Sequence, residues 1–528
     1  MKKSDYGVLF LISLVFFILL ATLQRAPGYM DAEYYLGQSI RLVQHHDLIE
    51  PFIWNFLNDP VKVDSQGFAF WLPATSFIAA GGLMILGSTS FYAARLFFIL
   101  MAACIPMMTA FFATRFLPKK RAGWLAGLLT MFSGFYLPFI TITDTFTPYM
   151  FFGGLFFISI WFAEKKINSG NKLNYWFIGT GLIAGLMSLT RSDGLLWLAG
   201  GWLGVLIIVG IKPWNWQRIS IHLGLVLIGF ALVMTPWILR NYAIYNSLFP
   251  PGNGLMLWLT KYDDLFVYPS KQLYFSSWIS SGFGNILVDR LKALAVNLQT
   301  IIASGGTIIL TPIFAIGLWK HRKSNIVRLT LVILIAILGV MTLVFPYAGE
   351  RGGFFHSLSA VQVILWSMVP FGLDTIIQWG VKNRNWKTDR SWKMFGAALV
   401  VVTGIFSTLL IADKLNNGTE SGIPWNKTQD AFATIDQRLS EKTSDEDGVI
   451  MVNNPPGFTL ATGRSSVMIP TGGASSLIEV SKRYDVHYLV LNSERADITE
   501  IFEKEESSQK HFKFLFEIAE NRVYEFNP

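Results

Sequence analysis

The chain of 528 residues holds one cysteine, Cys104, so no intramolecular disulfide can form and redox compartment leaves no mark on the sequence. Charge is scarce as well. Asp, Glu, Lys and Arg make up 15% of residues, where a soluble domain carries about a quarter. There is no phosphate-cradling Gly-Lys-Ser/Thr loop, His-Glu-x-x-His pair, Gly-x-Ser-x-Gly elbow or paired-cysteine pattern, which removes the usual signatures of soluble enzymes. The seven histidines are dispersed apart from His45-His46, whose side chains diverge on a helix and make a poor chelate. Internal repeats and low-complexity tracts are missing too. A divalent ion held by carboxylates from separate loops would leave no local signature, so metal dependence stays open.

What is present in abundance is apolar length. Hydrophobic residues make up 52% of the chain, and the mean hydropathy is +0.43. They fall in blocks of about twenty, long enough as helices to cross roughly 30 Å of hydrocarbon. The spacing predicts a polytopic α-helical membrane protein with about eleven spans. These lie near 6–23, 92–116, 122–142, 147–163, 175–190, 194–211, 219–239, 300–319, 327–346, 354–376 and 393–412. The net charge of +8 sits in short loops between these blocks, among them Lys2-Lys3, Lys119-Lys120-Arg121, Lys165-Lys166 and Lys382 to Arg390. That is the positive-inside pattern, not a nucleic-acid surface. The first run lacks a small-residue cleavage site and reads as a retained anchor. A further run, Phe68 to Leu86, would invert most later loops if it spanned. With Pro73 and Gly81-Gly82 inside it, we expect it to lie in or re-enter the outer leaflet. The amino terminus is then cytoplasmic and the carboxyl terminus outside.

The outer face collects the unusual residues. The first outer loop, 25–91, opens with Gly28-Tyr29-Met30-Asp31-Ala32-Glu33-Tyr34-Tyr35, and Leu36, Ile40 and Val43 follow at helical spacing. Asp31 is either a functional acid or a helix cap. Asp144, in the next outer turn, has the same two readings, since Pro148 suits a first helical turn. Arg191 and Asp193 lie between two short apolar runs and either serve a site or pair with each other. Arg240 ends one span, at the start of the outer loop 241–298, and Arg351 opens the span that carries His356. Single arginines outside run against the positive-inside bias and call for an anion, either lipid headgroups or a lipid-linked phosphate. From about Asn416 the composition changes. Residues 1–415 form the membrane domain, and 416–528, with strands near Val449 and Tyr488 between helical stretches, a small extracytoplasmic α/β domain.

These pieces, in order, carry a resemblance. An outer Asp31 follows the first span, then come an outer-leaflet helix with Pro73 and Ala94-Arg95-Leu96. Asp144, Leu189-Thr190-Arg191-Ser192-Asp193-Gly194 and Pro236-Trp237-Ile238-Leu239-Arg240-Asn241 follow. The chain resembles the GT-C superfamily of membrane glycosyltransferases, in the family-39-like branch of protein O-mannosyltransferases and the aminoarabinose transferase of lipid A. The resemblance covers roughly residues 5–375. The carboxyl-terminal Thr462-Gly463-Arg464 and Arg483-Tyr484-Asp485-Val486 are similar to the outer domain of many bacterial members.

The resemblance implies inverting transfer of a sugar from a polyprenyl-phosphate donor, outside the cytoplasmic membrane, to a lipid, glycan or protein acceptor. It makes Asp31 the general base, with Glu33 as runner-up, and Asp144 a second acid that positions the acceptor or a metal. Arg191, Arg240 or Arg351 would bind the phosphate, with Asp193, His356, Tyr34 and Tyr35 in the substrate site. No cofactor is implied with certainty, and a divalent metal, if any, would sit on Asp31 and Asp144. The lone Asp31-Ala32-Glu33, in place of adjacent acids, and the missing His-Pro-Pro run before Pro73 depart from the protein mannosyltransferase pattern. Neither mannose nor a protein acceptor follows from the motifs. The alternatives are a flippase of polyprenyl-linked glycans, which would show repeated halves, and a non-catalytic subunit of a glycan-assembly complex.

Overall fold

The first helix, α1 (Lys3–Leu23), sets the scale of the molecule. Its 21 residues extend about 32 Å. Leu9, Ser13, Phe17 and Leu20 recur every three or four positions and turn inward, while Leu11, Val15 and Leu19 stay exposed. An apolar outer face of this kind, on a helix long enough to span, suits a lipid environment. A computed structural model of the chain describes residues 1–170, 173–210, 215–419, 423–443, 448–491, 510–518 and 521–527. Among these, six further helices are long and apolar enough to span: Phe91–Phe116, Phe146–Asn168, Ser192–Val209, Trp216–Tyr245, Asn325–Val344 and Thr388–Asn417. Two helix pairs pass the same test only together and are sharply bent, Phe283–Gly305 with Leu310–Lys320 at 95° and Pro346–Ser359 with Gln362–Arg384 at 61°, each a broken span or a re-entrant loop. The protein is an integral membrane protein, and among the described residues seven helices are long and apolar enough to cross, or nine if each bent pair is one span.

Where the helices differ from the hydropathy blocks, the backbone gives the reason. The block 122–142 holds only Lys120–Met131, followed by a tight 3-10 turn, Gly134–Phe139, because Gly134 takes a left-handed φ and Pro138 lacks an amide proton. The block 300–319 breaks after a π-helical turn, Ile301–Gly305. The run from Phe68 yields α3 (Ala74–Leu86), 13 residues and so about 20 Å, shorter than the hydrocarbon thickness. The helix Trp176–Thr190 packs tightly on Trp216–Tyr245. A Cβ on Gly181 would meet the Val226 carbonyl at 2.0 Å, and one on Gly229 the Ile178 carbonyl at 2.1 Å. Small residues are what allow such close helix contact in a bilayer.

Two sheets form above the helices. β1 (Ile49–Glu50) pairs antiparallel with β3 (Ser65–Gln66) in the loop after α2 (Met30–His45). The larger sheet combines β2 (Phe52–Ile53) of that same loop with five carboxyl-terminal strands: β4 (Val449–Val452), β5 (Ser466–Met468), β6 (Val486–Leu491), β7 (Phe512–Ile518) and β8 (Asn521–Phe526). Its order is β2-β5-β4-β6-β8-β7, parallel from β2 to β6 and antiparallel beyond. The helices Thr428–Lys442 and Gly473–Arg483 cover it.

Candidate functional site

The site is built where α1 ends. Arg95, fully buried, donates from Nη1 to the carbonyls of Ala21 and Gln24 at 3.0 Å each. It thereby supplies donors to two of the carbonyls at the end of the helix. The buried Gln24 side chain then reaches across. Its Nε2 donates to the Pro138 carbonyl at 2.7 Å, and its Oε1 accepts from the Thr141 hydroxyl at 2.8 Å. Four residues on, Gly28 adopts φ +88°, and a Cβ there would lie 2.0 Å from the Trp425 ring. Trp425 is fully buried and donates from Nε1 to the Ala26 carbonyl at 2.9 Å. The chain is thus steered into α2, whose cap position is Tyr29. Asp31 is therefore the second residue of α2, in its first turn.

Two further bonds tie this first turn to the segment 140–145. The Thr143 hydroxyl donates to the Ala32 carbonyl at 2.8 Å, and the Tyr29 hydroxyl donates to Asp144 Oδ2. Asp144 is fully buried, and its Oδ1 accepts the backbone N–H of Thr145. Burial pushes its carboxyl up to about 7, against the opposing pull of the Thr145 amide and of Arg191. The Thr145 hydroxyl meets His356 Nδ1 at 2.8 Å, and the His356 ring stacks on Phe146 with centroids 3.8 Å apart. The result is a group no local motif contains: ligand atoms of Asp31, Asp144 and His356 all lie within 4.8 Å of one another. Two carboxylate oxygens and an imidazole nitrogen are a donor set that fits a divalent cation such as Mn²⁺ or Zn²⁺.

Arg191 is the cation of this group. Its charge acts on Asp144 and on the hydroxyl of Tyr35, which burial first and then Asp31 hold strongly protonated. It also pairs with Asp193, Nε to Oδ1 at 2.9 Å, and donates from Nη2 to the Gly353 carbonyl at 3.2 Å. The sequence could not choose among three arginines, and the geometry separates them. Arg240 donates to the Gly67 carbonyl at 2.8 Å, stacks on Trp237 and faces Glu50. Arg351 is exposed, with its guanidinium 5.0 Å from the Tyr262 ring centre. Tyr34 donates to Glu50 Oε1 at 2.5 Å. Glu33 is fully buried and accepts from Asn454 Nδ2 at 2.7 Å. It meets the carboxyl-terminal part and not the Asp144–His356 group.

Several participants carried no sequence signal. Gln24, Tyr29, Thr145 and Glu50 gain meaning only from partners more than a dozen residues away. One layer of rings away, where Phe139 and Phe355 pack on Phe146, lies a cavity of about 310 Å³. Phe135, Phe139, Ser304, Glu350, Phe355 and Lys414 line it.

Residues 72–239 match the dolichyl-phosphate-mannose-protein mannosyltransferase family. No curated protein sequence matches the chain. Among solved structures, one similar protein is the oligosaccharyltransferase AglB from Archaeoglobus fulgidus, bound to an inhibitory peptide and a dolichol-phosphate. It is 12% identical with a TM-score of 0.58, over 99% of this chain and 74% of that one. The Archaeoglobus enzyme in a complex with Zn and sulfate matches at the same identity and TM-score, over 98% and 72%. ArnT from Cupriavidus metallidurans, bound to undecaprenyl phosphate, is also 12% identical, with a TM-score of 0.58 over 99% of this chain and 98% of that one. Along its length the chain therefore has the fold of the GT-C membrane glycosyltransferases, the superfamily its motifs resemble.

Proposed function

We propose that the protein is an inverting glycosyltransferase that moves a sugar from a polyprenyl-phosphate donor to an acceptor hydroxyl at the outer face of the cytoplasmic membrane. The observation that carries this reading is the convergence of Asp31, Asp144 and His356 beside Arg191. The matched family and the lipid phosphates bound to AglB and ArnT support the donor class. Asp31 accepts the proton of the acceptor hydroxyl as its oxygen bonds to the anomeric carbon from one side. On the other side the carbon–oxygen bond to phosphate breaks, and the polyprenyl phosphate leaves with the electron pair. That leaving group needs charge stabilisation more than a proton, and the Arg191 guanidinium supplies it. A divalent ion held by Asp31, Asp144 and His356 would add positive charge beside the same phosphate. A carboxylate that ligates through one oxygen keeps the other for the proton, so both roles are open to Asp31. The cavity of about 310 Å³, with Thr300, Ser304, Glu350 and Lys414 among its otherwise apolar side chains, is of a size to take the first isoprene units.

The test uses full-length protein in proteoliposomes and radiolabelled polyprenyl-phosphate sugars with a cell-envelope lipid extract as acceptor. Asp31→Asn, which keeps shape and removes basicity, is expected to slow transfer by roughly 10²–10⁴-fold. Transfer at wild-type rate in Asp31→Asn would overturn the base assignment, and no transfer by the wild-type protein from any such donor would overturn the activity.

A further inference from the structure

Arg191 is held by a chain of buried groups that the proposed reaction does not otherwise use. Trp197 Nε1 donates to the Tyr149 hydroxyl at 3.0 Å. That hydroxyl donates onward to Asp193 Oδ2 at 3.1 Å, and Asp193 Oδ1 receives Arg191 Nε at 2.9 Å. Trp197 and Tyr149 are fully buried, and Asp193 nearly so. Both carboxylate oxygens of Asp193 are therefore engaged, one by the Tyr149 hydroxyl and one by Arg191. Two of the guanidinium nitrogens are committed as well, Nε to Asp193 and Nη2 to the Gly353 carbonyl. Nη1 takes no hydrogen bond among the described residues, on a cation whose field falls on Asp144.

A cluster of this kind is a poor way to gain stability, because apolar groups of similar shape often do as well or better. What it supplies is fixed geometry. Tyr149 sits one turn into the helix that begins just after Asp144, three residues beyond the Phe146 that carries His356. Asp193 sits in the turn Ser192–Gly194, and Trp197 in the helix that follows it. The chain thus references the Arg191 guanidinium to the same helix that positions Asp144. The Gly353 carbonyl, also bonded by Ser357 at 2.9 Å, references it to the segment that leads into His356.

We propose that Tyr149 and Trp197 are positioning residues that aim the Arg191 guanidinium at the phosphate of an isoprenyl phosphate. This rests on the reading of Arg191 as the phosphate-binding residue. The test is binding of farnesyl phosphate to the full-length protein in nanodiscs by isothermal titration, with farnesol as the phosphate-free control. Tyr149→Phe deletes one oxygen and is expected to weaken farnesyl phosphate roughly tenfold. Farnesol binding, measured well below the variant's unfolding transition, should stay at its wild-type value, which a merely structural role would not allow. Trp197→Phe should act in the same direction with a smaller factor. If Tyr149→Phe lowers the unfolding temperature, Asp193→Asn, which keeps the shape of the side chain, makes the same comparison. Wild-type affinity in a folded Tyr149→Phe protein, with Arg191→Gln weakened, would overturn the positioning role alone. Wild-type affinity in Arg191→Gln would instead overturn the phosphate-binding reading and this proposal with it.

Discussion

Three carboxyl groups outside the spans, Glu33, Glu50 and Asp144, are all pushed up to about 7, and burial is the first cause in each case. Their partners decide what that means. Glu33 receives an amide from Asn454, and Glu50 receives the Tyr34 hydroxyl and the Phe68 N–H at 2.8 Å. Only Asp144 has a second carboxylate and an imidazole within ligand distance. Glu50 offers a clean test of the physics, since its facing groups are Tyr34, Tyr245 and the cation Arg240. The folded carboxyl keeps its proton up to about pH 7, whereas an ordinary glutamate of the unfolded chain gives it up near pH 4.5. Folding therefore takes up a proton between those values, so this group's contribution to stability is fully present below pH 4.5 and is lost as pH rises through about 7. Glu50→Gln keeps an acceptor for Tyr34 and removes the charge. It should raise stability above pH 7 by on the order of 2 kcal/mol and leave it nearly unchanged near pH 4. Unfolding temperatures of the two proteins in nanodiscs, measured across that range, check it. A constant difference between them would refute the assignment.

At the scale of elements, the spans were legible because hydropathy reports burial in lipid, and Asp31 and Asp144 because they stand at span ends on one face. The bends were not. Hydropathy has no direction, so a block interrupted after Gly305 and a straight one look alike until the π-helical turn Ile301–Gly305 is seen. His356 was legible as a polar residue on an apolar helix but not as a partner of Asp144, because that requires Phe146 to bring the two segments together. Arg191 and Asp193 were legible as a pair, and pair they do, yet the bond to Gly353 that gives the pair a place depends on a residue 162 positions away. The side expected for the loops that flank α3 rests on its length. At 13 residues it is too short to cross. In a Cys104→Ala background, Lys62→Cys and Ser88→Cys, both at exposed positions flanking α3, should react with a membrane-impermeant maleimide from the same side. Lys165→Cys, at the far end of the span that begins beside Asp144 and hence beside Asp31, should react from the other. Labelling of Lys62→Cys and Ser88→Cys from opposite sides would mean that α3 crosses, and the site residues would no longer share one face.

At the scale of the whole molecule, the carboxyl-terminal part is stitched into the site. β2 from the first loop lies at the end of its sheet, with Phe52 opposite Ser466 and Ile53 opposite Val467. Asn426 Oδ1 accepts from the Arg25 amide at 2.7 Å, and its Nδ2 donates to the Leu23 carbonyl at 3.0 Å. Arg483 pairs with Asp59 at 2.7 Å, and Trp425 fills the space that Gly28 leaves open two residues before α2. Removing residues 416–528 would strip β2 of its neighbour, leave the Glu33 carboxyl without Asn454 and open a cavity beside Gly28. A chain ending at residue 415 is therefore expected to lose its cooperative unfolding transition in nanodiscs, not merely an accessory activity. The finer probe is Trp425→Ala. Deleting a buried indole costs about 3–5 kcal/mol, and here the loss falls on the turn that sets Asp31 against Asp144. Transfer should then drop by more than the unfolded fraction accounts for, measured at a temperature where the variant is still folded by tryptophan emission. If residues 1–415 alone unfolded cooperatively and transferred sugar at the full-length rate, the carboxyl-terminal part would be an appended module, and the geometry of the first turn of α2 would owe nothing to Trp425.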